Sequence, residues 1–313
     1  MVGELRVGIE PACQIQVTGR SRRYPEMPVE LDPPMTNPVA LPQLTQPLRD
    51  LAAWTLHFGA AEIPVLTQTA DALEALRANE DRVDANGIGE MIADDPLMTL
   101  KVLAHASTHR SSRVVTDAET VTAALVMMGI SPFFAAFGPQ PTVRERLADE
   151  PEALEGLNDT LRRAHRGANF ALGFAVHRMD HDAAVIHAAA LLHDFAEMLL
   201  WCFAPTLALR IRHTQRADPS LRSGAAQRAV LNVELADLQQ SLMKTWRLPE
   251  LLIRINDDRH AENANVRTVT LALRLARHTA QGWDNPAIPD DVSEIATLLN
   301  LSPAATLQLV QEI

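Results

Sequence analysis

The sequence predicts an all-α protein, a multi-helix bundle in two helical lobes, preceded by a short N-terminal extension. From Leu44 onward, apolar residues recur at helical spacing almost without interruption, and no later run is typical of a strand. Capping residues and prolines mark the ends of several helices, with short loops between them. A chain of 313 residues, 47% of them hydrophobic, is large enough to bury the core that such a bundle needs.

The composition excludes several classes of protein. A formal net charge of −11 argues against broad nucleic-acid binding, which needs a basic face to displace counterions from phosphates. No apolar run reaches the roughly 20 residues that cross a bilayer. The N-terminus lacks the basic start and apolar core of a secretory signal, so we expect no membrane association. Because Cys13 and Cys202 are far apart and give no disulfide framework, the expected location is the reducing cytoplasm.

Residues 1–43 differ from the rest of the chain. Short alternating apolar pieces at 5–9 and 15–17 are followed by a proline-rich stretch, which predicts a hairpin or an extended arm and then a linker. After this arm we expect a helical domain over residues 44–282, whose N-terminal lobe extends to about residue 155. A helical tail over 283–313 is expected to pack on that domain.

Caps mark two helix starts in the first lobe. Asp95 offers a capping carboxylate and Pro96 suits the first turn, after which apolar residues over 97–104 recur on one face. Thr116–Glu119 has the spacing of a capping box and leads into a helix that we expect to stop at Gly129.

Longer apolar patterns predict the helices of the second lobe. One helix is expected over Asp182–Phe203, ending before Pro205, and another over Ala225–Trp246, ending before Pro249. The remaining predicted helices are Thr268–Ala280, Asp290–Leu299 and Pro303–Ile313, the last of them capped by Ser302.

The dipeptide His193-Asp194 is the most informative feature, because it places an imidazole and a carboxylate on a hydrophobic helix. Buried polar groups are costly unless they have partners, so either a metal ion or a network of neighbouring side chains, such as an arginine, must satisfy this pair. Glu197, one turn later, would fix the imidazole or raise its pKa. His187 lies seven residues before Asp194 on the same face and would join the same network.

Several segments occur in an order that resembles one known family. They are Ile63-Pro64-Val65-Leu66, Ile88 to Ile92 followed by Asp95-Pro96-Leu97 and Ala104-His105-Ala106-Ser107, Val115 to Glu119, Ala124 to Ile130, Leu191-Leu192-His193-Asp194, and Trp246-Arg247-Leu248-Pro249. From about Ile63 to His260 the chain therefore resembles the HDOD domain, an HD-related output domain of bacterial signalling proteins. The resemblance implies a fold similar to that of HD-type metal-dependent phosphohydrolases.

The resemblance also implies a metal-ligand set, which this chain keeps only in part. The matching positions are His165, His193, Asp194 and His260. The departures are Phe195-Ala196-Glu197 in place of a glycine-lysine pair, Leu235 beside Glu234 where a histidine is expected, Arg259 in place of the second histidine of a pair, and Arg274 in place of a closing aspartate. Arg274 at the position of the closing aspartate would repel a divalent ion. We therefore predict a degenerate metal site that has lost part of its ligand set.

These observations favour a non-catalytic protein of HDOD type in signal transduction or regulation. We expect it to bind a signalling protein or a nucleotide second messenger, and the N-terminal arm would serve partner contact or assembly into a homo-oligomer. No cofactor is expected. Fold similarity alone does not establish function, so the function has to be argued from the site itself.

Two alternatives stay open. One is a metal-dependent phosphohydrolase acting on a nucleotide or cyclic dinucleotide, with iron, manganese or zinc held by the four matching residues and a metal-bound water as nucleophile. The other is a nucleic-acid-binding regulator, which requires a contiguous arginine surface. The arginines available for such a surface are Arg144, Arg146, Arg162, Arg163 and Arg166.

Overall fold

The computed structural model describes residues 42–109, 117–218 and 220–313, and in these ranges the chain is helical and forms no strand, which confirms the all-α prediction. Two short 3₁₀ helices, Glu80–Arg82 and Asp258–His260, accompany the α-helices. The α-helices are α1 Leu51–Gly59, α2 Thr67–Arg77, α3 Ala85–Ala93, α4 Pro96–Thr108, α5 Val121–Met128, α6 Ile130–Ala136, α7 Val143–Arg146, α8 Pro151–His177, α9 Ala183–Leu192, α10 Phe195–Phe203, α11 Pro205–Ala217, α12 Ser223–Leu231, α13 Leu235–Thr245, α14 Glu250–Ile255, α15 Ala264–His278, α16 Ile288–Leu299 and α17 Pro303–Glu312. The predicted arm and most of its linker lie outside the described residues, and the proposed domain boundaries stay predictions.

The predicted cap of α4 is confirmed. One carboxylate oxygen of Asp95 accepts hydrogen bonds from the backbone N–H groups of Leu97 and Met98, at 2.9 and 3.0 Å. Its other oxygen accepts from the N–H of Leu66 at 2.8 Å, so the cap also fixes a segment 29 residues earlier. Burial raises the pKa of Asp95, and the hydrogen bonds that it accepts oppose that rise.

The predicted start of the next helix is wrong by one turn. Helix α5 begins after Thr120, whose hydroxyl accepts from the N–H of Ala123 at 3.2 Å, whereas Thr116 lies outside the described residues. Two threonines four residues apart can both act as caps, and sequence alone does not choose between them. The predicted stop at Gly129 is confirmed, and this glycine has the positive φ of 88° that favours its residue type.

Two long helices predicted from apolar periodicity are in fact interrupted. The helix over 182–203 breaks at His193 and Asp194, between α9 and α10. The helix over 225–246 breaks after Leu231, where Asn232 takes the left-handed conformation with φ of 67°. Apolar residues at helical spacing continue on both sides of each break, so the periodicity hides the two breaks.

Helix α8 lies at the centre of the fold and packs against α9, α10 and α15. Gly156 and Gly167 bring it close to its neighbours. A Cβ atom at Gly156 would lie 2.5 Å from the ring of Trp201, and one at Gly167 would lie 2.5 Å from the side chain of Leu273. The close packing places the polar residues of α8 against the junction of α9 and α10.

The stretch Ala183–Phe203 is the part of the described residues that is long and apolar enough to cross a bilayer, by length and composition alone. Its mean hydropathy is 1.4, and 61% of the window is buried inside the protein. Core helices of soluble proteins pass the same test, so the observation is weak evidence for a membrane span.

The last two helices close the C-terminal end. Ser302 caps α17 as predicted, its hydroxyl accepting from the N–H of Ala305 at 3.3 Å. Helix α16 packs on α15, and Asp291 of α16 forms ion pairs with Arg274 and His278 of α15.

Candidate functional site

The break between α9 and α10 directs two polar side chains toward α8. His193 ends α9 and Asp194 begins α10, so the pair lies in a turn between two apolar helices. Both side chains are mostly buried, with exposures of 16% and 17%. Such groups need partners, and α8, α15 and the 3₁₀ helix Asp258–His260 supply them.

Arg163 of α8 neutralises the acids of this turn. Its Nε and Nη2 atoms both lie 3.0 Å from Oδ2 of Asp194, and Nη2 also donates to Glu197 at 2.7 Å. Burial alone would raise the pKa of the Asp194 carboxyl, but the Arg163 charge and the bond from His193 outweigh it and hold that pKa well below its usual range. Burial would lower the pKa of Arg163, yet the charges of Glu197 and Asp194 raise it above its ordinary value.

Both ring nitrogens of His193 contact carboxylates. Nδ1 lies 3.2 Å from Asp194, and Nε2 lies 3.1 Å from Oδ1 of Asp258, which also accepts from the hydroxyl of Thr270 at 3.3 Å. Burial of the ring lowers its pKa, but the hydrogen bonds with Asp194 and Asp258 outweigh this and raise the pKa of His193 to about 10. The imidazole is therefore protonated at neutral pH, and both nitrogens act as donors.

The remaining oxygen of Glu197 faces α8 and its own helix. Oε1 accepts from the hydroxyl of Thr160 at 2.9 Å, and the indole N–H of Trp201 lies 3.2 Å from that hydroxyl. We expected Glu197 to fix His193; that expectation is wrong, since Glu197 binds Arg163 and the second acid on the imidazole is Asp258. The reason is the turn at 193–194, because in a continuous helix Glu197 would lie one turn from His193.

The four matching residues of the predicted metal site have different surroundings. His193 and Asp194 contact each other, but Nε2 of His165 lies 2.6 Å from the backbone carbonyl of Asp94. His260 is exposed and lies within 3.2 Å of Glu262 and 3.8 Å of Asp257. Within the described ranges, no group of three or more histidine, cysteine or acidic side chains is arranged to hold a metal ion.

The expectations for His187 and Arg274 are also wrong. His187 does not join the network of Asp194: the groups that affect its pKa are Asp94 and His165, while burial lowers that pKa overall. Arg274 does not face the His193 network, because it forms ion pairs with Asp291 and Glu294 of α16, at 2.7 and 2.8 Å. The repulsion that we expected from Arg274 therefore has no basis, and the α15 residues near the network are Thr270 and Arg277.

Sequence reasoning missed Arg163 and Asp258 as members of the network. A signal for Arg163 was present in its position: it follows Thr160 by three residues and precedes Gly167 by four, both of which are buried on α8. No local signal marks Asp258, because it contacts a residue 65 positions away and its own surroundings are a charged helix end.

The five arginines that the nucleic-acid alternative requires are not all exposed on the surface. Arg146 donates to the carbonyl of Cys202 at 3.1 Å, and Arg166 donates to the carbonyl of Thr279 at 3.1 Å. Arg163 lies in the network described above. Arg144 and Arg162 are exposed.

Two adjoining clefts open beside the network and share Asp194, Glu197 and Arg277 in their walls. The first, here the arginine cleft, has a volume of about 450 Å³ and is lined by Arg163, Arg212, Arg216 and Arg277. The second, here the acidic cleft, has a volume of about 460 Å³ and is lined by Glu234, Asp237, Asp257 and Asp258. The network forms the wall common to both.

The residues around His193 do not fit a metal ion. A ligating histidine must present a free ring nitrogen to the ion, whereas both nitrogens of His193 contact carboxylates. The guanidinium of Arg163 lies 3.0 Å from Asp194 and would repel a second cation there. The arrangement is a salt-bridged network that can shape a cleft without a metal.

Comparison with known proteins gives one family and one fold. The HDOD domain family matches residues 63–262. The structure is similar to the MmoQ response regulator of Methylococcus capsulatus strain Bath, with 19% identity, a TM-score of 0.59, and coverage of 80% of this chain and 98% of that chain. It is also similar to a virulence factor of Campylobacter jejuni, with 17% identity, a TM-score of 0.58, and coverage of 83% and 97%. No curated protein sequence gives a significant match.

Proposed function

The chain belongs to the HDOD domain family, which matches residues 63–262, and from this premise we propose a non-catalytic regulatory protein of signal transduction. It binds a partner protein or a small signalling ligand and hydrolyses neither. The family match and the response-regulator description of the Methylococcus capsulatus neighbour support a signalling role at the level of the family.

The position of Arg163 is the observation that carries the non-catalytic part of the proposal. Its guanidinium contacts both acids of the α9–α10 turn, Asp194 at 3.0 Å and Glu197 at 2.7 Å. A hydrolase that used His193 and Asp194 as metal ligands would need a divalent ion and its activated water beside these acids. A permanently charged side chain supplies the countercharge instead, and it carries no exchangeable water.

The clefts support the binding part of the proposal. Each has a volume within the range of about 300–1,000 Å³ that is typical of small-molecule sites. Asp194 and Glu197 lie between the two clefts, so a ligand in the arginine cleft would contact α8, α10 and α15, and one in the acidic cleft would contact α10, α13 and α15. A ligand that bound one packing of these helices better than another would shift the protein toward that packing, which is the property that a regulatory domain uses.

The proposal is tested by hydrolysis assays of the full chain. The wild type, His193→Ala and the control His213→Ala, an exposed histidine of α11, are incubated with bis-p-nitrophenyl phosphate, nucleotides and cyclic dinucleotides in added manganese, iron or zinc. We expect the three proteins to give the same background rate. Metal-dependent turnover that His193→Ala abolishes and His213→Ala keeps would contradict the proposal and establish the phosphohydrolase alternative.

A further inference from the structure

The arginine cleft collects positive charge in a strongly acidic protein. Four arginines line it, from α8, α11 and α15, although the chain as a whole carries a formal charge of −11. Its acidic lining residues are Asp159, Asp194 and Glu197. What such a cleft attracts depends on which of these charges are already paired.

The acids of the arginine cleft are all engaged within the protein. Asp194 and Glu197 bind Arg163. Asp159 forms ion pairs with Arg162 and, at 2.9 Å, with Arg212. Little negative charge in the cleft therefore remains without a countercharge.

Its cations, in contrast, keep free hydrogen-bond donors. Arg212 uses one terminal nitrogen for Asp159, and its Nη1 atom is buried with no hydrogen-bond partner among the described residues. Arg216 and Arg277 are exposed, and neither forms an ion pair within 42–109, 117–218 and 220–313. An anion in the cleft would satisfy the Arg212 donor and neutralise the other two charges.

The rest of the walls define the ligand further. Leu200, Ile211 and Leu235 give the arginine cleft an apolar side, while Gln215 and Gln227 add amide groups. The adjoining acidic cleft is also lined by Arg259, and three of its four named acids are paired within the protein, so it repels an anion only weakly; its carboxylate oxygens still accept hydrogen bonds from amino and ring N–H groups. A molecule that spans both clefts is thus anionic at one end and rich in donors at the other.

We propose that the arginine cleft binds the phosphate of a small phosphate ester, with Arg212, Arg216 and Arg277 as its contacts and a nucleoside-sized body directed along the apolar wall toward the acidic cleft. The inference rests on the proposed function, since it names the ligand class of the same site. Arginine is suited to this role because its planar, permanently charged guanidinium binds phosphate oxygens in pairs.

The test is isothermal titration calorimetry of the full chain with pyrophosphate, ADP, GDP, adenosine and guanosine. Pyrophosphate and the two nucleotides are expected to bind with affinities that fall as salt is added, and the two nucleosides are not. The double variant Arg216→Gln/Arg277→Gln removes two exposed charges without breaking an ion pair, and its Kd is expected to rise about tenfold or more. Arg210→Gln, an exposed arginine of the same α11 that does not line the cleft, is the matched control and keeps the wild-type Kd.

Absence of saturable binding of every phosphate probe would overturn the inference, as would equal affinities in wild type and Arg216→Gln/Arg277→Gln. Tighter binding of a nucleotide than of pyrophosphate supports the nucleoside-sized body, and the reverse order contradicts that part of the inference. Release of inorganic phosphate in the same samples would instead contradict the non-catalytic function while leaving phosphate binding intact. The two failures are therefore distinguishable.

Discussion

Two networks in this protein use the same four residue types and differ in their surroundings. In the first, Asp194 binds His193 and Arg163, and Arg163 also binds Glu197. In the second, located between α15 and α16, the corresponding residues are Asp291, His278, Arg274 and Glu294, with separations of 2.6–2.8 Å. In both, the aspartate and the glutamate are three residues apart at the start of one helix, and the arginine comes from another helix.

The comparison shows that a histidine, an aspartate and an arginine in contact are a structural cross-link in this protein. The second network lines neither of the two clefts beside the first, and it joins the last turns of α15 to α16. The first differs in two respects: it forms the wall between the arginine and acidic clefts, and its histidine contacts an additional acid, Asp258. Because of those two differences, and not because of the histidine-aspartate pair, the first network is part of a candidate ligand site as well as a cross-link.

Removal of Arg163 should have the largest effect. Arg163→Met keeps much of the aliphatic stem but leaves Asp194 and Glu197 without their countercharge, so we expect the free energy of unfolding to fall by about 3 kcal/mol. Urea denaturation measures this loss. Arg162→Met, at the neighbouring and exposed position, should change stability by less than about 1 kcal/mol; equal losses in the two variants would show that the first network is no cross-link.

Removal of Asp291 should have a smaller effect that is confined to the C-terminal helices. Asp291→Asn weakens the ion pairs with Arg274 and His278, and we expect it to lower the free energy of unfolding by about 2 kcal/mol. Pyrophosphate binding to the arginine cleft should not change. A loss of that binding in Asp291→Asn, measured by calorimetry, would show that the two networks are coupled and that the comparison between them is wrong.

The pH dependence of the free energy of unfolding tests the effect of the additional acid, Asp258, on His193. Folding raises the pKa of the His193 imidazole from its ordinary value near 6.5 to about 10. Protonated His193 therefore stabilises the folded protein fully below pH 6.5, and this stabilisation is lost as the pH rises from 6.5 through about 10. We expect urea denaturation at a series of pH values to show that the free energy of unfolding falls across that range. His193→Gln should flatten this slope and Asp258→Asn should move it to lower pH; a slope that neither variant alters would assign it to other groups.

Sequence reasoning predicted the helical class, the cap at Asp95 and the need for partners at His193 and Asp194. These features depend on residues that are close in the chain. The break at 193–194 was not predicted, because apolar residues continue on both sides of it and a turn inside a buried segment leaves the hydrophobic pattern intact.

The composition of the candidate site was predicted only in part, for a related reason. The pair at 193–194 and an arginine partner follow from the cost of burying charge, but the identity of that arginine depends on how α8 packs against α10, 31 residues away. Arg274 shows the same limit: its place in a motif suggested a role at the metal position, whereas the packing of α16 gives it Asp291 and Glu294 as partners.

The metal content of the purified protein tests the role of Arg163 most directly. The wild type, His193→Ala and Arg163→Met are purified without chelator, and iron, manganese and zinc are measured per chain by elemental analysis. If Arg163 holds the position of a cation, the wild type contains far less than one metal ion per chain and His193→Ala contains the same trace amount. One or more equivalents in the wild type that disappear in His193→Ala would contradict that role and, with it, the non-catalytic function.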